Sequence, residues 1–322
     1  MIEVQNLVKL YGNHMAVDHL SFTIEKGKIY GFLGPNGAGK STTMNIMTGY
    51  LGATEGKVLI NGHDILKEPQ EAKKCIGYLP EMPPLYTEMT VWEYLNFAAE
   101  LKKIPKEKRK GQLKEVMSLT KLHDVENRLI GNLSKGYRQR VGLAQAILGF
   151  PEIIILDEPT VGLDPKQIIE IRELIRRLAK NHTVILSSHI LAEVREVCDY
   201  IMIISAGKLV ASDTPENLEH KMKNSGRITI QAQAGKEEVR KVLEKVSHIR
   251  DVKYRIEGDV VTAEIESQEE VDIRKELFLA FAKENLPLLT LVMEKTSLED
   301  IFLSLTQENI SESEGENHAR NL

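Results

Sequence analysis

The stretch Gly34-Pro35-Asn36-Gly37-Ala38-Gly39-Lys40-Ser41 constrains this chain more than any other. It fits the pattern G-x-x-x-x-G-K-[ST] and stands between an apolar, strand-like run over residues 29–33 and a helical stretch over 41–48, as that pattern requires. Its glycines let successive backbone N–H groups curl round a phosphate, and the helix that follows adds its positive end. Lys40 is expected to reach the β- and γ-phosphates, and the Ser41 hydroxyl to hold Mg²⁺, with Thr42 in the same first turn.

A second run carries matching acids. Ile153-Ile154-Ile155-Leu156 is apolar throughout and ends in Asp157-Glu158-Pro159-Thr160. In a parallel sheet such a strand is buried on both faces and delivers its acids to the C-terminal edge, where ligands bind. Alone, the run reads equally well as an ordinary strand followed by a turn acid. Beside a P-loop it predicts a nucleotide-hydrolysis site, with Asp157 meeting Mg²⁺ and Glu158 polarising the attacking water.

Strands and helices alternate around these motifs. Residues 4–10, 20–24 and 58–60 read as strands closed by turns. Between Thr90 and Phe150 the spacing turns helical, with Val91, Tyr94, Leu95 and Ala98 on one face. Strands at 183–187 and 200–204 then alternate with helices after Pro165 and from Ile190. The expected fold is an α/β P-loop domain over residues 1–218, with an antiparallel sheet beside the parallel one and a helical subdomain at about 85–148. After a polar stretch at 215–225 come strand 227–232, helix 236–246, strands 252–256 and 260–265, helix 269–285 and strand 289–293. A last helix at 297–306 is entered through a capping box, Thr296 to Glu299. This βαβ-βαβ order predicts a small ferredoxin-like α+β domain over 226–306. The tail, 307–322, has too few apolar residues to pack and is expected to be disordered.

Composition excludes several classes. Lys and Arg total 42 against 47 Asp and Glu, a net charge of −5, where a dedicated nucleic-acid binder carries a positive surplus. Two cysteines, Cys75 and Cys198, exclude a disulfide scaffold and fit a reducing cytosol. No apolar run nears the ~20 residues a spanning helix needs, and the N-terminus has no secretory apolar core. A soluble, intracellular protein is expected. His63, His182 and His318 lack metal-ligand spacing. The basic run 102–110, broken by Pro105 and Glu107 and without interleaved aromatics, reads as a solvated loop and helix start.

Between the two motifs, Leu133-Ser134-Lys135-Gly136-Tyr137-Arg138-Gln139-Arg140 opens a helix. This stretch resembles the LSGGQ signature of the ABC ATPases, with Lys135 in place of the first Gly and Tyr137 in place of the Gln. Residues 1–215 carry that family's motifs in unbroken order. The resemblance implies that the nucleotide is ATP, and that Ser134 and the Gly136 amide contact the γ-phosphate held by a second subunit's P-loop. It also implies that Tyr11 stacks on adenine. Residues 76–81 take the place of the Q-loop, ending in Glu81 where Gln is usual, and a carboxylate there can approach Mg²⁺. Gly162-Leu163-Asp164 looks like the D-loop, and His189, after Ser187 and Ser188, like the switch histidine that senses the γ-phosphate. The Pro83-Pro84 turn falls where the family touches its membrane partner.

Bacterial exporter ATPases of drug and sodium efflux are the closest resemblance. They share the Tyr-Leu-Pro-Glu Q-loop variant, an LSKGxxQR signature and an extension ending like Thr296-Ser297-Leu298-Glu299-Asp300-Ile301-Phe302. The resemblance implies a homodimer, or a heterodimer with a paralogue, closing on two ATP molecules. It would be cytoplasmic, held at the inner face of the membrane by a separate integral membrane permease. Glu158 would act as base, with Lys40, Mg²⁺ and His189 offsetting the developing charge; no nucleic acid is expected. The alternative is a non-transport ABC ATPase acting as a regulatory, ribosome- or DNA-associated factor. A translation factor of that kind carries two cassettes and a basic linker, and a repair protein carries long heptads; this sequence has neither. Cargo is not written in this chain, because the cargo path belongs to the permease. Dimer contacts or regulation are the roles expected of the extension.

Overall fold

The strand that feeds the P-loop is buried along its whole length, Ile-Tyr-Gly-Phe-Leu, and so needs partners on both edges and cover on both faces. The computed structural model, which describes residues 1–222, 227–268 and 271–293, supplies them. In chain order the first unit runs β1 (Ile2–Tyr11), β2 (His14–Ile24), β3 (Ile29–Leu33), α1 (Lys40–Met47), β4 (Glu55–Ile60), β5 (His63–Asp64), α2 (Pro69–Lys74) and β6 (Ile76–Leu79). It continues through α3 (Val91–Leu101), α4 (Lys106–Thr120), α5 (Lys135–Ile147), β7 (Ile153–Leu156), α6 (Pro165–Leu178), β8 (Thr183–Ser188), α7 (Leu191–Val197), β9 (Tyr200–Ser205) and β10 (Lys208–Asp213). Helix α8 (Pro215–Met222) spans the division between the two units, which falls after Pro215.

The central sheet has the order β10-β9-β3-β8-β7-β6, parallel except for β10. Strand β8 therefore lies between the P-loop strand and the strand that carries Asp157. All four residues of β7 are at most 1% exposed, and each contributes roughly 2 kcal/mol of apolar burial. Beside it lies the antiparallel sheet β2-β1-β4-β5. The two sheets share one core with α1, in which Phe22 and Phe32 meet edge to face at 5.4 Å. Strand β1 runs past both ends of its sequence reading, because three register shifts interrupt its alternation without ending its pairing. Strand β6 escapes a pattern search because it is a four-residue edge strand, recognisable only by its pairing with β7.

Helices α3, α4 and α5 pack on one another as the helical subdomain. Thr90 and Glu93 close a capping box on α3. The basic run departs from its sequence reading at Lys102, which is not solvated. Its ammonium donates to the carbonyls of Gln145 (2.8 Å), Ala146 (3.2 Å) and Leu148 (2.7 Å), the open end of α5. Burial pulls this amine down to about 8.

The second unit contains β11 (Arg227–Gln233), α9 (Lys236–Leu243), β12 (Ile249–Glu257), β13 (Val260–Ser267), α10 (Arg274–Lys283) and β14 (Leu288–Met293). Its sheet order, β12-β13-β11-β14, is antiparallel throughout, the split βαβ arrangement of a ferredoxin-like fold. Ile228, Ile230, Val261 and Ile265 meet Leu277 and Phe281 in its core. Helix α9 stops at Leu243, since Lys245 and Val246 bond three residues back instead of four. Helix α10 starts at Arg274, after Asp272 accepts the Arg274 N–H. The helix expected at 297–306 and the tail at 307–322 lie outside the described residues.

Replacing Lys102 by Met keeps the stem and leaves three carbonyls without their donor. Urea unfolding of this variant is expected to show a loss of about 2 kcal/mol.

Candidate active site

The loop from Gly34 to Gly39 leaves β3 at the C-terminal edge of the sheet and turns straight into α1. At its last residue φ is +99°, and a Cβ there would stand 2.4 Å from the Ala16 carbonyl oxygen, so only glycine fits. The back of the loop is braced by the β9–β10 turn, where Gly207 N–H donates to Ala38 O (3.1 Å) and Gly207 O accepts from Asp18 N–H (2.9 Å). Inside the loop, Lys40 is 5% exposed and donates to the carbonyls of Gly34 (2.8 Å) and Pro35 (3.2 Å). Burial lowers its affinity for the proton, while Glu158, Asp157 and, more weakly, Glu81 act in the opposite sense.

Strand β7 delivers its two acids as the sequence predicts. Asp157 Oδ1 accepts from Ser41 Oγ (3.1 Å) and from Ser187 Oγ (2.6 Å). The next residue, Glu158, sits at φ +47°, a left-handed conformation that costs a non-glycine residue about 1–2 kcal/mol. Its N–H donates to Ser187 Oγ at 2.8 Å, which holds the turn. So placed, Glu158 has one carboxylate oxygen 3.0 Å from His189 Nδ1 and the other 3.8 Å from Lys40 Nζ. Glu158 is buried, whereas the His189 side chain is 44% exposed.

A cleft of about 550 Å³ gathers Tyr11, the loop from Asn36 to Thr42, Glu81, Glu158 and His189. Gly34 and Pro35 do not line it and meet Lys40 through their carbonyls, and Asp157 borders the neighbouring groove with Ser41 and Glu81. Tyr11 ends β1 half exposed, paired across the hairpin with His14 and with the Lys9 ammonium 5.3 Å from its ring centroid. Sequence reading passed over four residues here. His14, Ala16 and Val161 line the cleft, and Ser187 joins Asp157 to the Glu158 backbone. A serine at the end of a buried strand, two places before His189, was the only available signal for Ser187.

Three expected contacts do not reach this cleft within one chain. Ser134 caps α5, accepting from Tyr137 N–H at 3.4 Å, and Asp164 caps α6, accepting from Gln167 N–H at 2.9 Å. Gly136 faces the Gln167 side chain, which a Cβ would approach to 2.5 Å. The Lys135 amine lies over Gly162 in the same way.

The donors around the cleft are hard oxygens: the Ser41 hydroxyl and the Asp157 and Glu81 carboxylates. Among the described residues no group of three or more His, Cys, Asp or Glu is arranged to hold a metal unaided. That set fits Mg²⁺, which binds through one or two carboxylates and completes its shell with other hard oxygens, phosphates and water. Among the described residues, no helix is long and apolar enough to cross a membrane.

The profile of a family described as ABC transporter matches residues 17–161. Over 307 residues the chain is 36% identical to the bacitracin transport ATP-binding protein BcrA of Bacillus licheniformis, covering 95% of this chain and 97% of that one. It is 31% identical over 310 residues to the linearmycin resistance ATP-binding protein LnrL of Bacillus subtilis (strain 168), covering 95% and 98%. Among solved structures it is similar to the dimeric post-hydrolysis state of an ATP-binding cassette bound to ADP and Pi. That likeness has a TM-score of 0.61 at 27% identity, over 66% of this chain and 98% of the other.

Ser187→Ala removes both bonds that fix Asp157 and the Glu158 turn. Thermal unfolding is expected to report a loss of about 1–3 kcal/mol, together with slower nucleotide hydrolysis. Unchanged stability and turnover would deny Ser187 this role.

Proposed function

This chain belongs to the ABC transporter family, as one of its ATP-binding subunits, and from that premise we propose that it hydrolyses ATP to drive a separate membrane permease of the exporter type. One observation carries the catalytic part of the reading. Glu158 is buried, held in a strained backbone conformation and hydrogen-bonded to His189 beside Lys40.

In this reading the triphosphate lies along the P-loop, with its base against Tyr11. Lys40 turns its ammonium from the loop carbonyls to the β- and γ-phosphate oxygens. Ser41, Asp157 and Glu81 hold Mg²⁺, which when bound supplies positive charge to the phosphate oxygens. Glu158 accepts the proton of the attacking water. His189 keeps the Glu158 carboxylate in place and, being half exposed, is free to meet the γ-phosphate.

Two chains complete the sites between them. Ser134, Gly136 and Asp164 do not line their own chain's cleft, which is the arrangement expected if they serve a partner's nucleotide. The dimeric relative supports this reading. Nucleotide then stabilises the closed pair by contacts that the open pair lacks.

The permease is placed at the groove of about 670 Å³ next to the cleft, lined by Tyr50, Tyr78, Pro80, Met82 and Pro84. Tyr50 and Met82 are 82% and 83% exposed, large apolar groups that a protein partner would cover. Held there, the chain sits on the cytoplasmic face of the membrane. The names of its full-length relatives make an antimicrobial compound the first cargo to test.

Glu158→Gln is expected to slow ATP hydrolysis at least 100-fold while keeping ATP binding, and to collect the chain as a dimer in Mg-ATP on size-exclusion chromatography. Turnover like that of the unaltered chain would remove Glu158 as the base. Pull-down from detergent-solubilised membranes is expected to recover a hydrophobic multi-helix partner; ribosomes or DNA in its place would favour a non-transport role.

A further inference from the structure

Behind the cleft lies a buried carboxylate that the proposed chemistry does not use. Glu193, on α7, is 7% exposed and does not line the cleft. Its Oε2 accepts two hydroxyl protons, from Thr160 Oγ1 at 2.6 Å and from Ser188 Oγ at 3.1 Å. Thr160 and Ser188 are themselves 7% and 1% exposed. Ser188 Oγ in turn accepts the Ile190 N–H at 3.0 Å, which fixes the backbone on the far side of His189.

The chain positions give this cluster its meaning. Thr160 stands two residues after Glu158, and Ser188 immediately precedes His189. A single oxygen atom of Glu193 thus ties together the two loops that bear the proposed base and its histidine. Those loops come from separate strands, β7 and β8, and their ends are spliced twice. Ser187 makes the first splice, on the cleft side, and Glu193 makes the second, on the buried side.

We infer that Glu193 is a positioning residue for hydrolysis, setting the separation of Glu158 and His189 through Thr160 and Ser188 without touching the nucleotide. The inference rests on the reading of Glu158 and His189 as a catalytic pair. A carboxylate suits the task because both hydroxyls can donate to it at once, and two charge-assisted bonds in a dry site resist displacement. Because Lys40, Ser41 and Tyr11 lie outside this network, its loss acts on the chemical step and spares ATP affinity.

The test is steady-state ATPase kinetics with Mg-ATP on four full-length chains: unaltered, Glu193→Ala, His189→Ala and the double variant. Glu193→Ala is expected to lower kcat roughly tenfold to a hundredfold with KM for ATP unchanged within a factor of about two. Glu193→Gln retains an acceptor oxygen of the same reach and is expected to recover most of that loss. In the His189→Ala chain, adding Glu193→Ala is expected to cost less than about twofold, since the histidine it positions is gone. If Glu193→Ala does not fold, Thr160→Val and Ser188→Ala each remove one of the two donors with little change of shape, and each is expected to lower kcat in the same way.

Outcomes separate the two ideas. If His189→Ala alone leaves kcat unchanged, the catalytic pair is wrong and the role given to Glu193 falls with it. If His189→Ala lowers kcat but Glu193→Ala does not, or the two losses multiply, the pair stands and Glu193 is merely structural. A change confined to KM would also overturn the inference.

Discussion

Lys40 is an ammonium held almost wholly out of water, and the first unit is arranged around the need to make that tolerable. Removing such a group from water costs several kcal/mol unless oxygens replace the solvent. The loop replaces it by curling its own carbonyls inward, which obliges its last residue to adopt a backbone conformation open to glycine alone. Carboxylates complete the compensation, and they must come from another strand. The sheet order supplies one from β7, with β8 as the spacer, and Ser187 on β8 turns that spacing into hydrogen bonds.

How much of this could be read beforehand follows from how local each feature is. The P-loop was legible because its residues are contiguous and each serves the same loop. Asp157 and Glu158 were legible because an apolar strand must end somewhere, and ends there in acids. His189 and Tyr11 needed a family resemblance, since neither residue's neighbours say what it meets. Lys102 was misread because a lysine in a basic run looks solvated until the end of α5, more than forty residues on, is placed beside it. The roles of Ser187 and Glu193 were missed for the same reason, their partners lying on other strands or loops. In the second unit the order of strands and helices was legible from alternation, whereas helix ends depended on single hydrogen bonds near Asp272 and Lys245.

The signature helix and the segment around Gly162 belong together in this chain. Gly136 lies against Gln167 and the Lys135 amine lies over Gly162, while Arg140 pairs with Glu170 of α6. Lysine in place of the first signature glycine therefore has a structural partner: it fills the space that the missing Cβ of Gly162 leaves. The starts of α5 and α6, capped by Ser134 and Asp164, are joined by side chains reaching from one helix to the other.

Glu81 borders both the nucleotide cleft and the apolar groove beside it. A single side chain is thus a wall common to both chambers, and an occupant that shifts it on the groove side shifts it on the nucleotide side as well.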